Sequence, residues 1–372
     1  MIEFVTSIIQ SNQELLMASL IGLGVAAIFL YTILSVTPVM PFLYANAVLA
    51  ARSKFLLSDA KCRALAELSS LHELITALVE NDYDLDTEKS ASLQMLNIGL
   101  EKNLISLVLE LRKLSTSKLE GIFDAYLMFY EAKPLKLFYR KLFLKLSQLD
   151  DKLVYEVGTI NHGMLMKLKE AHTLADTQVI LAPTIYHEVF SKEYGSIEEF
   201  EISLDSFILS EMVLAVQSAK MFEAKVITDL LLARQDIFNM ITIIKSMIRG
   251  VPNKGKIMLV KTDTLIYQTL LKSNTATLQE FVESFAGKPY HSSLQVGLEQ
   301  FSKDGSIYQF EKALWSHFKV KLIDEELKHP QGPYPIMAYL MRKEIEYKNL
   351  LIVAKSIEGN FPKERTEGLL IV

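Results

Sequence analysis

The residues of this 372-residue chain that could do chemistry are few and scattered. Gly250 to Lys256 (GVPNKGK) fits the first seven positions of a phosphate-binding loop, Gly-x-x-x-x-Gly-Lys. The eighth position should be Ser or Thr to hold magnesium, and Ile257 stands there. A real loop of this kind follows a buried strand, whereas this one follows a helical pattern, so nucleotide binding is not expected. In YHEVF, His187 sits beside Glu188, but the second histidine that a zinc helix needs a turn later is Ser191. His72, His162, His172, His187, His291, His317 and His329 show no ligand spacing and read as solvated or locally hydrogen-bonded. Asp150 and Asp151 are neighbours, which do not face one another on a helix, and read as a charged turn. No nucleophile-and-base pair stands out, although a triad assembled from distant positions leaves no local trace. No catalytic residue, metal or cofactor is expected.

One polar pair is of more interest. Asp236 and Asn239 interrupt the apolar stretch Leu230 to Pro252, LLLARQDIFNMITIIKSMIRGVP. A buried carboxylate is costly unless a cation or several donors meet it. The pair therefore reads as an internal staple between helices, with an arginine or backbone groups as partners. The helix that must position it carries Ile237, Met240, Ile241, Ile244 and Ile248 at helical spacing. Phe238, Ile243 and Met247 spread apolar surface over most of its remaining circumference, so the helix belongs in the middle of a helical assembly. Arg249, Gly250 and Pro252 form its stop.

That helix has relatives. RQDIFNMITIIK (234–245) aligns with EIEYKNLLIVAK (344–355), so Asp236 matches Glu346 and Asn239 matches Asn349. EAKPLKLFYRKL (131–142) is a degenerate third copy, and this alignment puts Lys136 where the others have Asn. A second motif repeats as well. ELITALVENDY, DTQVILAPTIY and EFVESFAGKPY close on Tyr83, Tyr186 and Tyr290, which are 103 and 104 residues apart. GVPNK and GNFPKE are matching breaks, with Gly250 and Gly359 ending a helix and Pro252 and Pro362 suiting the restart. A period near one hundred residues exceeds that of a solenoid repeat and points to three homologous bundles around a pseudo-threefold axis. The best strand candidate, KIMLVKT (256–262), has no partner of similar quality and reads as helix or connector. The expected fold is all-α.

Composition agrees. Half the residues are apolar, Gly and Pro are sparse, and Leu, Ile, Lys and Glu favour helix. A net charge of −5 with interleaved signs argues against nucleic acid, which needs a concentrated basic face. The lone Cys62 excludes a disulfide framework and a Cys-rich metal site. Between Glu14 and Arg52 no residue is charged, and Leu15 to Val36 is long enough to cross a hydrocarbon core of about 30 Å. A cleaved signal peptide would want a cationic start, yet Glu3 and Glu14 are the only charges before the apolar run. A very hydrophobic core helix is the competing reading. Arg52, Lys54, Lys61 and Arg63 after the span put that flank in the cytoplasm and Met1 outside the cell membrane. The expected organisation is a membrane anchor at 1–43, with the span at about 15–36, followed by helical domains at 44–150, 151–255 and 256–372. Exchange of the middle helices between domains is left open.

In this order, YANAVLAARSKFLL (44–57), ELITALVENDY, RQDIFNMITIIKSMIRGVP, EFVESFAGKPY and EIEYKNLLIVAKSIEGNFPKE resemble the C subunit of the archaeal-type rotary ATP synthase, equivalent to the d subunit of the vacuolar ATPase. The resemblance starts near Tyr44 and runs to the C-terminus. It implies a funnel of three similar helical domains, seated on the membrane rotor ring and receiving the central axle in its mouth, with no catalytic residues of its own. The membrane span precedes the resembling region and would anchor the protein in the lipid bilayer. A lipid-facing helix outside the ring would strike the stator on every turn, which a descent into the ring's lipid-filled centre would avoid; whether the span enters there is left open. Gly22 and Gly24 there would permit close approach to another helix, and Cys62 is near enough in sequence to carry a crosslinker. The rival readings are a single-pass helical scaffold and a membrane-tethered enzyme.

Overall fold

Ser, Thr and Asn residues punctuate the chain, and they set where its helices begin. The computed structural model describes residues 2–86, 92–146, 149, 153–273 and 277–372, which leaves Asp150 and Asp151 outside the described residues. Ser58, Ser70, Ser92, Asn161, Thr173, Ser196, Thr264 and Thr277 each accept a hydrogen bond from a first-turn amide of the helix that follows. Each such cap contributes about 1 kcal/mol. The helices are α1 (Ile2–Val36), α2 (Met40–Arg52), α3 (Asp59–Ala66), α4 (Leu71–Val79), α5 (Leu93–Leu114) and α6 (Ser117–Phe143). Then come α7 (His162–Glu170), α8 (Leu174–Leu181), α9 (His187–Phe190), α10 (Ile197–Ser218), α11 (Ala224–Ile248) and α12 (Pro252–Ile257). The last third holds α13 (Leu265–Lys272), α14 (Leu278–Glu283), α15 (His291–Asp304), α16 (Tyr308–Lys328), α17 (Tyr334–Glu358) and α18 (Lys363–Leu369). Among the described residues there is no strand, only a single bridge between Val157 and Ile160. The chain is all-α. KIMLVKT supplies the end of α12 and the connector after it.

Three long helices carry the architecture. α6 packs against α5, α8 and α10; α11 against α10, α12, α13 and α16; α17 against α2 to α5, α16 and α18. Each long helix thus covers the short helices that follow it, and α17 covers those near the start of the chain. The main apolar core is one cluster drawn from both ends of the chain and its middle, with Phe42 its first member and Ile371 its last. A smaller one joins Cys62, Leu65, Leu74, Leu78, Leu96 and Leu100 to Leu350, Val353, Ala354 and Leu370, so the last long helix supplies core to the first short ones. Among the described residues α1 contributes to neither core. Its apolar window Met17–Leu34 is wholly exposed, which removes the core-helix reading.

The stop after α11 is built as its residues suggest. Gly250 takes φ +72°, in the left-handed region, and Pro252 opens α12. The GVPNKGK stretch therefore runs from one helix into another. At the end of α17 the left-handed residue is Asn360 (φ +49°), one place beyond Gly359.

Candidate functional site

One polar stripe of α11 grips the connector that follows it. Asn239 donates through Nδ2 to the Val260 carbonyl (2.8 Å) and accepts from the Val260 N–H (3.0 Å). Both polar groups of one residue of extended chain are satisfied by one side chain, which keeps a buried connector from being left unpaired. One turn back, Asp236 accepts from the hydroxyls of Thr264 (2.6 Å) and Thr262 (3.5 Å). No ion pair forms at Asp236 among the described residues. Burial pushes its carboxyl up to about 7, while the two threonine hydroxyls pull the other way. The partners are therefore hydroxyls rather than an arginine. Tyr290 lies near enough that its hydroxyl, raised mainly by burial, also feels the Asp236 charge.

The same device recurs on α17. Asn349 clasps Ile371 through its carbonyl (3.0 Å) and its N–H (2.8 Å). Glu346 accepts from the Leu57 N–H (2.7 Å), the Tyr83 hydroxyl and the Lys343 ammonium (2.6 Å). The closing tyrosine of the first third thus meets the carboxylate of the last.

On α6 the carboxylate is Glu131. It accepts from the Thr159 N–H (2.5 Å), the Thr159 hydroxyl (3.0 Å) and the Tyr186 hydroxyl. Only glycine can bring that turn so close: Gly158 takes φ +54°, and a Cβ there would lie 1.8 Å from Glu131 Oε1. In this register Pro134 occupies the Asn position. The alignment that put Lys136 there is shifted by two residues, and Lys136 instead pairs with Asp205 on α10 at 2.5 Å. Pro134 cannot clasp a connector, and the doubled donation from Thr159 takes over.

With Glu131, Asp236 and Glu346 in register, the residues two places earlier are Phe129, Arg234 and Glu344, and these meet. Arg234 bonds Glu344 in a fork, with Nε to Oε2 and Nη2 to Oε1 both at 2.9 Å, and both side chains are nearly buried. The Arg234 guanidinium lies 4.6 Å from the Phe129 ring centre and 4.9 Å from that of Phe238. The Tyr126 hydroxyl adds a 3.0 Å bond to Glu344. Burial alone would raise the Glu344 carboxyl, but Arg234 holds it below its usual range, so the pair stays charged. Lys348, one turn on, has its ammonium 4.4 Å from the Trp315 ring centre and 5.1 Å from that of Phe238. Burial lowers its pKa in spite of Glu344. A cavity of about 430 Å³ opens above this junction, lined by Phe129, Lys133, Asp205, Arg234, Phe238 and Lys348 among others.

This arrangement fastens helices to connectors and to one another. Among the described residues no three His, Cys, Asp or Glu side chains gather as a metal site. Cys62 is buried, with its thiol near the Leu57 carbonyl and the Asn349 amide, and burial raises it to about 11. A thiol so placed cannot carry a crosslinker, against the expectation from its sequence position.

Comparison with known proteins places these features. Residues 45–369 match the family model described as ATP synthase (C/AC39) subunit. The chain is 26% identical to the A-type ATP synthase C subunit of Methanocaldococcus jannaschii, across 89% of this chain and 86% of that protein. It is 24% identical to the protein of that name from Pyrococcus horikoshii, across 89% and 90%. For the Desulfurococcus sp. protein of that name the identity is 26%, across 88% and 90%. The family match begins after α1.

Proposed function

The chain belongs to the ATP synthase (C/AC39) subunit family, and from that premise we propose that it is a non-catalytic central-stalk component of a rotary ATP synthase. In this role it couples the membrane rotor ring to the central axle, so that ion flow drives ATP synthesis or ATP hydrolysis drives ion pumping. Its partners are the ring and axle subunits. The observation that carries the reading is the junction of Phe129, Arg234 and Glu344, equivalent positions on three long helices that meet at a cavity. Three units around a pseudo-threefold axis, each a long helix with the short helices it covers, form a funnel whose mouth receives the axle. Transmitting torque calls for a body that does not slip. Side chains that tie each long helix to the connector beside it, over close-packed cores, supply that stiffness. The α1 window anchors the protein in the cell membrane, with residues after it in the cytoplasm. Affinity purification from detergent-solubilised native membranes tests the reading. Co-elution with the ATPase subunits is expected; elution alone, with an activity of its own, would overturn it.

A further inference from the structure

The direction in which α1 leaves the body is set by α2. Asn46, in the first half of α2, donates through Nδ2 to the carbonyls of Gln331 and Gly332, both at 3.0 Å, just ahead of α17. Arg52, at the far end of α2, shares a cleft with Tyr339 on α17. Leu57 then reaches Glu346, a turn and more further on. The segment from 46 to 57 therefore tracks α17 from its start to its middle, in the same direction. Chain ahead of residue 46 must project beyond the start of α17.

It does not double back. Val39 between α1 and α2 keeps helical angles (φ −93°, ψ −24°), and none of Met17–Leu34 is buried against the body. The end from which α1 projects is closed. Leu119 and Ile122 of α6, Ile227 and Leu231 of α11, and Ile336 and Met337 of α17 are all buried in one core near the starts of their helices. Glu223, the cap of α11, accepts from the Tyr334 N–H at 3.0 Å and lies so close to Gly332 that a Cβ there would fall 2.3 Å away. Through Asn46 and Gly332, the root of α1 is two side-chain contacts from the starts of two long helices. The cavity lies beyond the junction, towards the other end of the long helices, where Lys133, Thr242 and Lys348 line it. Around the root, Met40, Leu43, Tyr44, Phe222 and Leu327 are exposed.

We infer that α1 passes from this closed end into the lumen of the rotor ring, lies against its inner wall and turns with it; this rests on the central-stalk reading above. A helix rooted in a rotating body and placed outside the ring would sweep through the stationary membrane subunits on every turn. Inside the ring it meets none of them. Its uncharged window of 18 residues spans about 27 Å, which suits a hydrocarbon-lined space. Gly22 and Gly24 have open space where a Cβ would be, leaving room for a neighbouring helix.

Photocrosslinking in the intact complex in its native membrane tests this, with Ile28→p-benzoylphenylalanine on α1 and, separately, Phe222→p-benzoylphenylalanine at the closed end. The expected result is capture of a ring subunit from both positions, with ATP hydrolysis unchanged in the complex crosslinked through α1. Capture of a stationary subunit by α1, capture of lipid alone, or a ring crosslink that abolishes hydrolysis would each overturn the lumen placement. In those cases capture of the ring from position 222 leaves the central-stalk reading standing. Failure of both positions to reach the ring would overturn both.

Discussion

Asp236 is held where the protonated form of its carboxyl is favoured, and this gives the protein a readable pH dependence. Its folded pKa of about 7 lies above the unfolded value, so the protonated carboxyl favours folding at low pH. That contribution is complete below pH ~4 and is lost as the pH rises through about 7. Asp236→Asn keeps an acceptor for Thr264 and carries no charge. It is expected to stabilise the protein by about 1–3 kcal/mol at pH 8 and to change little at pH 4, measured as urea midpoints at the two pH values. Arg234 behaves in the opposite sense. Arg234→Met leaves the Glu344 carboxylate buried without its cation and should cost about 3–5 kcal/mol, whereas Arg234→Met with Glu344→Leu should recover most of that loss. A polar residue in an apolar helix can be singled out from sequence, and Asp236 and Asn239 were visible in that way. Their partners were not visible, because Thr262 and Thr264 lie in a connector with no pattern to place it against α11.

The recurring element is a long helix whose asparagine holds the next stretch of extended chain. Asn349→Ala removes both bonds to Ile371 and should cost about 2–3 kcal/mol. Hydrogen exchange gives the sharper test. The Ile371 amide should exchange faster in Asn349→Ala while that of Val260 is unchanged, and Asn239→Ala should show the reverse. The recurrence was legible in part, since the tyrosines return 103 and 104 residues apart and Asp236 aligns with Glu346. Two aspects were not. On α6, Pro134 replaces the asparagine that would mark the register, and Lys136 nearby draws the alignment two residues off. Tyr83 meets a carboxylate 263 residues later in the chain, and local spacing carries no trace of a contact between the two ends.

At the scale of the whole molecule, the chain closes on itself, because α17 completes the core around α3, α4 and α5. A fragment ending at Gly332 should therefore lose ordered structure in α3, α4 and α5, seen as loss of amide protection there, while α6 to α10 keep a long helix of their own. Deleting 2–36 removes a helix whose apolar window, Met17–Leu34, is wholly exposed. It should leave a body of unchanged helicity and Tm that no longer needs detergent, measured by circular dichroism after extraction in plain buffer. The junction has one more consequence. Trp315 is the only tryptophan in the chain, and it sits against Phe238 with the Lys348 ammonium over its ring. Lys348 also lines the cavity. Anything that enters there and draws the ammonium away will shift the colour and brightness of a lone indole, so the protein carries its own optical gauge of occupancy, readable without a dye.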